Sequence, residues 1–86
     1  MRIVLHRNFE KKFIKLSSKL KESFSERRNL FLADSFHPIL NNHPLTGDRL
    51  GQWSINVTGY WRAVYVFEDK NTIVFIDIDT HSNLYG

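Results

Sequence analysis

The sequence reads as an α+β fold: a helical hairpin packed on a twisted, largely antiparallel sheet, in the order β-α-α-β-β-β. Three observations predict it. Phe9, Phe13, Leu16 and Leu20 recur at helical spacing in the first quarter. Trp53, Ile55 and Val57 alternate with Ser54, Asn56 and Thr58, which is the period of a half-buried strand. Between these two regimes, Pro44, Gly47 and Gly51 punctuate a loop over residues 41–51. Helices first and strands afterwards argue for helices on one face of an antiparallel sheet.

Taken in order, residues 2–6 read as a short strand. Asn8 is suited to cap the helix that follows, because its side-chain oxygen accepts from an unpaired backbone N–H. Phe9 to Leu20 supply the apolar stripe, and Ser17-Ser18 interrupts the helix and caps a second one. Leu20, Phe24 and Phe31 carry the stripe on. Pro38 disfavours helical geometry at His37, so the second helix ends by about Phe36. Thr58-Gly59-Tyr60 reads as a hairpin turn, residues 61–67 as a strand rich in aromatic and β-branched residues, Glu68-Asp69-Lys70-Asn71 as a polar turn, and residues 72–78 as the most apolar strand. A three-residue turn at 58–60 sets Val57 opposite Trp61 and Asn56 opposite Arg62. It leaves the Arg62 guanidinium on the sheet surface, free to bind, whereas a two-residue turn would separate that pair. Trp53, Trp61 and Tyr65 read as core.

At 86 residues the chain is expected to be one domain, 1–86. It has no cysteine, which excludes disulfides and thiolate metal sites. No apolar run approaches the roughly 20 residues that cross a bilayer, and the N-terminus lacks the apolar region of a signal peptide. A cytoplasmic protein with no membrane partner is the expectation. Residues 1–28 hold nine Lys/Arg against three Glu, while residues 29–86 hold three Lys/Arg against six Asp/Glu. The basic first third suits an anionic partner, or is a solvated helix face.

The end of the sequence, His81-Ser82-Asn83-Leu84-Tyr85-Gly86, follows directly on the last apolar strand. A histidine and a tyrosine at a strand exit are held by the sheet yet open to solvent, which is where chemistry is often carried; from these residues alone the stronger reading is a frayed end that happens to carry polar residues.

His43-Pro44-Leu45-Thr46-Gly47, Gly51, Val57-Thr58-Gly59 and Trp61-Arg62-Ala63-Val64-Tyr65 together resemble the RelE/ParE toxin superfamily. The stretch from Asp79 to Gly86 is similar to the terminus of its YafQ-like mRNA interferases. The resemblance implies a toxin of a type II toxin–antitoxin pair, which cuts mRNA on the ribosome and is silenced by an acidic antitoxin. It implies a toxin that is monomeric alone and hetero-oligomeric with its antitoxin. The ParE branch instead poisons DNA gyrase, and some members retain only antitoxin binding. Fold alone does not separate these.

RNA cleavage through the ribose 2′-OH needs no metal or cofactor. It needs a base for the 2′-OH, an acid for the leaving 5′-oxygen, and positive charge at the phosphate. Histidine titrates near neutrality and serves as either acid or base. Arginine stays charged and binds phosphate oxygens in two places. His81 matches the histidine of the YafQ-like terminus and is the first candidate for proton transfer. His43 matches the loop histidine and is the second. Arg62 is the phosphate-stabilising candidate, and Tyr85 is a donor to the leaving oxygen or a stacking platform. Lys11, Lys12, Lys15, Lys19, Arg49 and Asn56 are the candidate RNA contacts. The chain departs from the YafQ-like pattern twice, with Asn56 where a second catalytic histidine is expected and Tyr60 where an acid commonly stands. Asparagine transfers no proton at neutral pH, and a tyrosine with a pKa of about 10 is a poor base unless perturbed; the candidate catalytic constellation is therefore His43, Arg62 and His81 with Tyr60 or Tyr85.

Overall fold

The computed structural model describes residues 1–85. β1 (Arg2–Leu5) leads into α1 (Arg7–Phe13) and α2 (Ser18–Ala33), followed by β2 (His43–Pro44), β3 (Trp53–Asn56), β4 (Trp61–Asp69), β5 (Thr72–Thr80) and α3 (His81–Tyr85). The sheet order is β1-β5-β4-β3-β2, antiparallel except where β1 runs parallel to β5. No described helix is long and apolar enough to cross a membrane.

The expected helical hairpin is present, with one change at its start. His6, not Asn8, caps α1: its Nδ1 accepts the Asn8 N–H at 3.0 Å. Asn8 lies one residue inside the helix, where its backbone donor is the group that needs a partner. Ser17 caps α2 as expected, accepting the Leu20 N–H at 3.2 Å. The helix stripe meets the sheet through rings. Phe9 and Phe24 lie 5.1 Å apart, Phe24 and Phe75 5.2 Å, and Phe31 and Tyr65 5.3 Å. All five are essentially buried. The Tyr65 hydroxyl donates to Asn42 Oδ1 at 2.8 Å. Burial pushes its pKa up to about 12, although the bond to Asn42 pulls the other way.

Two elements exceed the expected order. Pro44 sits in the two-residue strand β2 at the sheet edge, where a missing N–H costs no ladder bond. The short α3 begins immediately after β5, with Thr80 Oγ1 accepting the Asn83 N–H at 3.2 Å.

The β3–β4 turn has the three-residue geometry. Asn56 pairs with Arg62, and the Val57 N–H donates to the Trp61 carbonyl at 2.9 Å. Thr58 Oγ1 closes the turn by accepting from the N–H groups of Tyr60 and Trp61. Farther along, β4 and β5 slip register. Val64 faces Asp77 while Tyr65 faces Phe75, so Ile76 is an extra residue in β5. This bulge lets Phe75 and Ile78 both join the aromatic core, and it turns Ile76, Asp77 and Asp79 toward the opposite face.

Candidate functional site

Paired residues on antiparallel strands project from the same face, so the register builds the site. One row across the face turned away from α1 and α2 is His43, Ser54, Val64 and Asp77. The next row, two residues along, is Asn56, Arg62 and Asp79. Strand spacings place the His43 and Arg62 backbones about 12 Å apart. α3 folds onto this face, and Leu84 packs with Leu45, Val64 and Ile76.

α3 also fixes the terminal candidates. The His81 N–H donates to the Tyr60 carbonyl at 2.9 Å, and the Tyr60 hydroxyl lies 3.1 Å from Ser82 Oγ. The exposed His81 and Tyr85 rings, one helical turn apart, meet at 4.8 Å, edge to face. Tyr60, His81 and Tyr85 are therefore brought to one end of the face that carries Arg62. Gly86, the last residue of the terminal motif, lies outside the described residues.

His43 Nδ1 is 2.6 Å from the Asn41 carbonyl. A carbonyl only accepts, so Nδ1 carries the proton and Nε2 of the neutral ring is left as a proton acceptor. Arg62 is less free than its position on the sheet surface suggested. Its Nη1 donates to the carbonyls of Thr58 and Trp61 at 3.0 and 3.1 Å. Those bonds orient the guanidinium over the hairpin turn and leave Nε and Nη2 without a partner among the described residues. The Asn56 Oδ1 atom is buried and unpaired, as is Ser54 Oγ in the neighbouring row.

The basic candidates separate. Lys12 is not available to phosphate: its Nζ binds Asp77 Oδ1 at 2.7 Å and Asp79 Oδ2 at 3.1 Å. Burial works against its charge, but both carboxylates outweigh this and raise its pKa. Lys11, Lys15 and Lys19 are exposed and form no ion pair among the described residues. Arg49 braces the loop: Nε donates to the Leu84 carbonyl at 3.4 Å, Nη1 to Gln52 Oε1 at 2.9 Å, and Nη2 lies 3.8 Å from Asp77. Beside it opens a pocket of about 570 Å³ lined by Thr46, Asp48, Arg49, Gln52, Leu84 and Tyr85.

Sequence reasoning missed Asp77, Asp79 and Asn83. Asp79 Oδ1 accepts from Asn83 Nδ2 at 2.9 Å and from the Thr80 N–H at 2.8 Å, tying α3 to the strand that precedes it. Burial opposes ionisation of Asp79, yet the bonds from Asn83, Thr80 and Lys12 prevail and hold its carboxyl below the usual range. The signal was present in Asp77-Ile78-Asp79, where Ile78 marks the core side and both carboxylates must face the other way. Among the described residues, no group of three or more His, Asp or Glu side chains is arranged to hold a metal ion.

No protein-family model and no curated protein sequence matches this chain. Solved structures do. YafQ from E. coli superposes with a TM-score of 0.78 at 23% identity, over 100% of both chains. The chain has the RelE/YafQ-like toxin fold. The E. coli DinJ-YafQ complex gives a TM-score of 0.75 at 24% identity, covering 100% of this chain and 100% of that one. The YoeB/ParE toxin from Agrobacterium tumefaciens gives 0.76 at 20% identity, covering 94% of this chain and 99% of that one.

Proposed function

We propose that this chain is the toxin of a type II toxin–antitoxin pair and cleaves mRNA on the ribosome without a metal. The observation that supports the reading is that His43 and Arg62 stand in adjacent rows of one sheet face, with Tyr60, His81 and Tyr85 tied together beside it by the start of α3, in a fold shared with solved toxins. In this reading an mRNA phosphate lies between Arg62 and α3. The 2′-oxygen attacks phosphorus, and the bond to the 5′-oxygen breaks. The products are a 2′,3′-cyclic phosphate and a 5′-hydroxyl. His43 Nε2 takes the 2′-OH proton, because its Nδ1–H is committed to Asn41. His81 in its protonated form donates to the leaving 5′-oxygen. Arg62 Nε and Nη2 hold the charge that develops on the phosphate, which is where preorganised donors contribute most. Tyr85 orders the His81 ring by edge contact. Asn56 takes no proton, so the two histidines divide the transfers between them.

The partner is an acidic antitoxin that orders on binding. Charge supports this, since the chain carries a formal +3. So do exposed apolar side chains: Leu32, Phe36, Ile39 and Phe67 are 48%, 67%, 49% and 49% exposed. Co-expression with the product of an adjacent small acidic reading frame tests the partner, with a stable complex expected and separate elution the contrary result. For the chemistry, His43→Ala and His81→Ala are each expected to relieve growth arrest on induction while the proteins remain folded. Full arrest by both variants would overturn the assignment.

A further inference from the structure

The pocket beside Arg49 gathers an oriented amide, an unpaired carboxylate and an aromatic residue in one lining. The Gln52 amide is oriented: its Oε1 accepts from Arg49 Nη1 at 2.9 Å, so its free end is the Nε2 donor. Arg49 is itself fixed, bonded to the Leu84 carbonyl and 3.8 Å from Asp77. In the same lining, the exposed Asp48 carboxylate has no hydrogen bond or ion pair among the described residues and offers two acceptor oxygens. Tyr85 and Leu84 complete the lining. The volume of about 570 Å³ falls in the ordinary range of small-ligand sites, roughly 300–1,000 Å³.

We infer that this pocket reads a guanine base. Guanine presents an acceptor, O6, beside two adjacent donors, N1–H and N2–H. The Gln52 amide supplies the hydrogen for O6, and the Asp48 carboxylate accepts from both donors. No other base offers that order. Adenine and cytosine each set a ring-nitrogen lone pair against the carboxylate. Uracil has a single N–H flanked by two carbonyls. Stacking on Tyr85 holds whichever base enters, because every base has a π-face. The site therefore divides affinity, from stacking and charge, from selection, by Asp48 and Gln52. The inference rests on the reading that this face binds RNA, and it adds which base is chosen.

The test is binding by trinucleotides that carry 2′-O-methyl groups. These lack the nucleophile, so recognition is read apart from cleavage. Four trimers differing only in the central base are titrated into the purified chain, with backbone amide shifts of residues 46–52 and Kd as readouts. The guanine trimer is expected to bind about tenfold tighter than the other three, the scale of one bidentate pair. In Asp48→Asn, the four trimers are expected to bind within about twofold of one another. Asp48 is exposed, so that variant is expected to fold normally. Guanosine monophosphate, titrated alongside, separates the two sources of the base. Weaker binding than the trimer assigns the site to RNA, and equal binding assigns it to a free nucleotide. Equal affinity for all four trimers, or a guanine preference that survives in Asp48→Asn, overturns the inference. A guanine preference in a chain that cuts no RNA would sink the nuclease reading and leave the pocket assignment standing.

Discussion

On the helix side of the sheet, Phe9, Phe24, Phe31, Tyr65 and Phe75 meet ring to ring and are sealed from water. On the other side, the buried apolar cluster is only Leu45, Val64 and Leu84, with Ile76 against it. The rest of that second face includes His43, Ser54, Asn56, Arg62, Asp77 and Asp79, placed by register and held in part by bonds to backbone carbonyls and to α3. The two faces share strands and differ by one step of the pleat. In the proposed reading that difference separates most of the stability from the chemistry: core substitutions on the helix side should unfold the chain, and substitutions of His43, Arg62 or His81 should silence it.

The largest effect is expected on the helix side. Phe75 touches the rings of Phe9, Phe24, Phe31 and Tyr65, so Phe75→Ala opens a cavity at the centre of the core. It should cost about 3–5 kcal/mol in denaturant unfolding. A loss below about 1 kcal/mol would break the comparison. On the other face, His81→Ala should slow cleavage about 10²–10⁴-fold, the contribution of one positioned proton transfer. Its unfolding free energy should stay within about 0.5 kcal/mol of the parent, as for an exposed site.

Tyr65→Phe sharpens the comparison at smaller scale. It removes a buried hydroxyl and leaves Asn42 Oδ1 short of a donor, costing about 1 kcal/mol. The parent has a second signature at this position. A folded pKa of about 12, above the usual value near 10, means stability that is present below pH 10 and lost as pH rises from about 10 to 12. Tyr65→Phe should flatten that part of the alkaline limb in a pH series of melts.

The smallest effect belongs to the Lys12, Asp77 and Asp79 network. The folded pKa of Asp79 lies below its ordinary value, so its contribution is present above about pH 4 and is lost as pH falls through the folded value. Asp79→Asn should reduce the acid dependence of melting, and an unchanged acid limb would remove Asp79 from the clamp. Lys12→Ala should cost less than about 1 kcal/mol, since the ammonium is half exposed.

Periodicity carried most of the helix side. Phe9 and Phe13 share the stripe of α1, Phe24 and Phe31 that of α2, and of the expected stripe Phe9, Phe24 and Phe31 are buried while Phe13, Leu16 and Leu20 are partly so. The hairpin register was also legible, because the three-residue turn that pairs Asn56 with Arg62 leaves its mark in Thr58-Gly59-Tyr60. The second face was legible only in pieces. Lys12 read as a helix-surface cation, and its partners lie 65 and 67 residues away, beyond any local pattern. The bulge at Ile76 shifts the face of β5 by one residue, a tertiary adjustment that composition does not announce. His6 in place of Asn8 at the helix start shows the same limit, since several side chains cap well and geometry picks among them.

Mapping mRNA 5′ ends after a brief pulse of expression, for the parent and for His81→Ala at equal folded levels, tests the division between the two faces most directly. New cleavage ends within translated mRNA are expected from the parent and not from His81→Ala. Intact mRNA in cells arrested by the parent chain, or the same set of ends from His81→Ala, would contradict it.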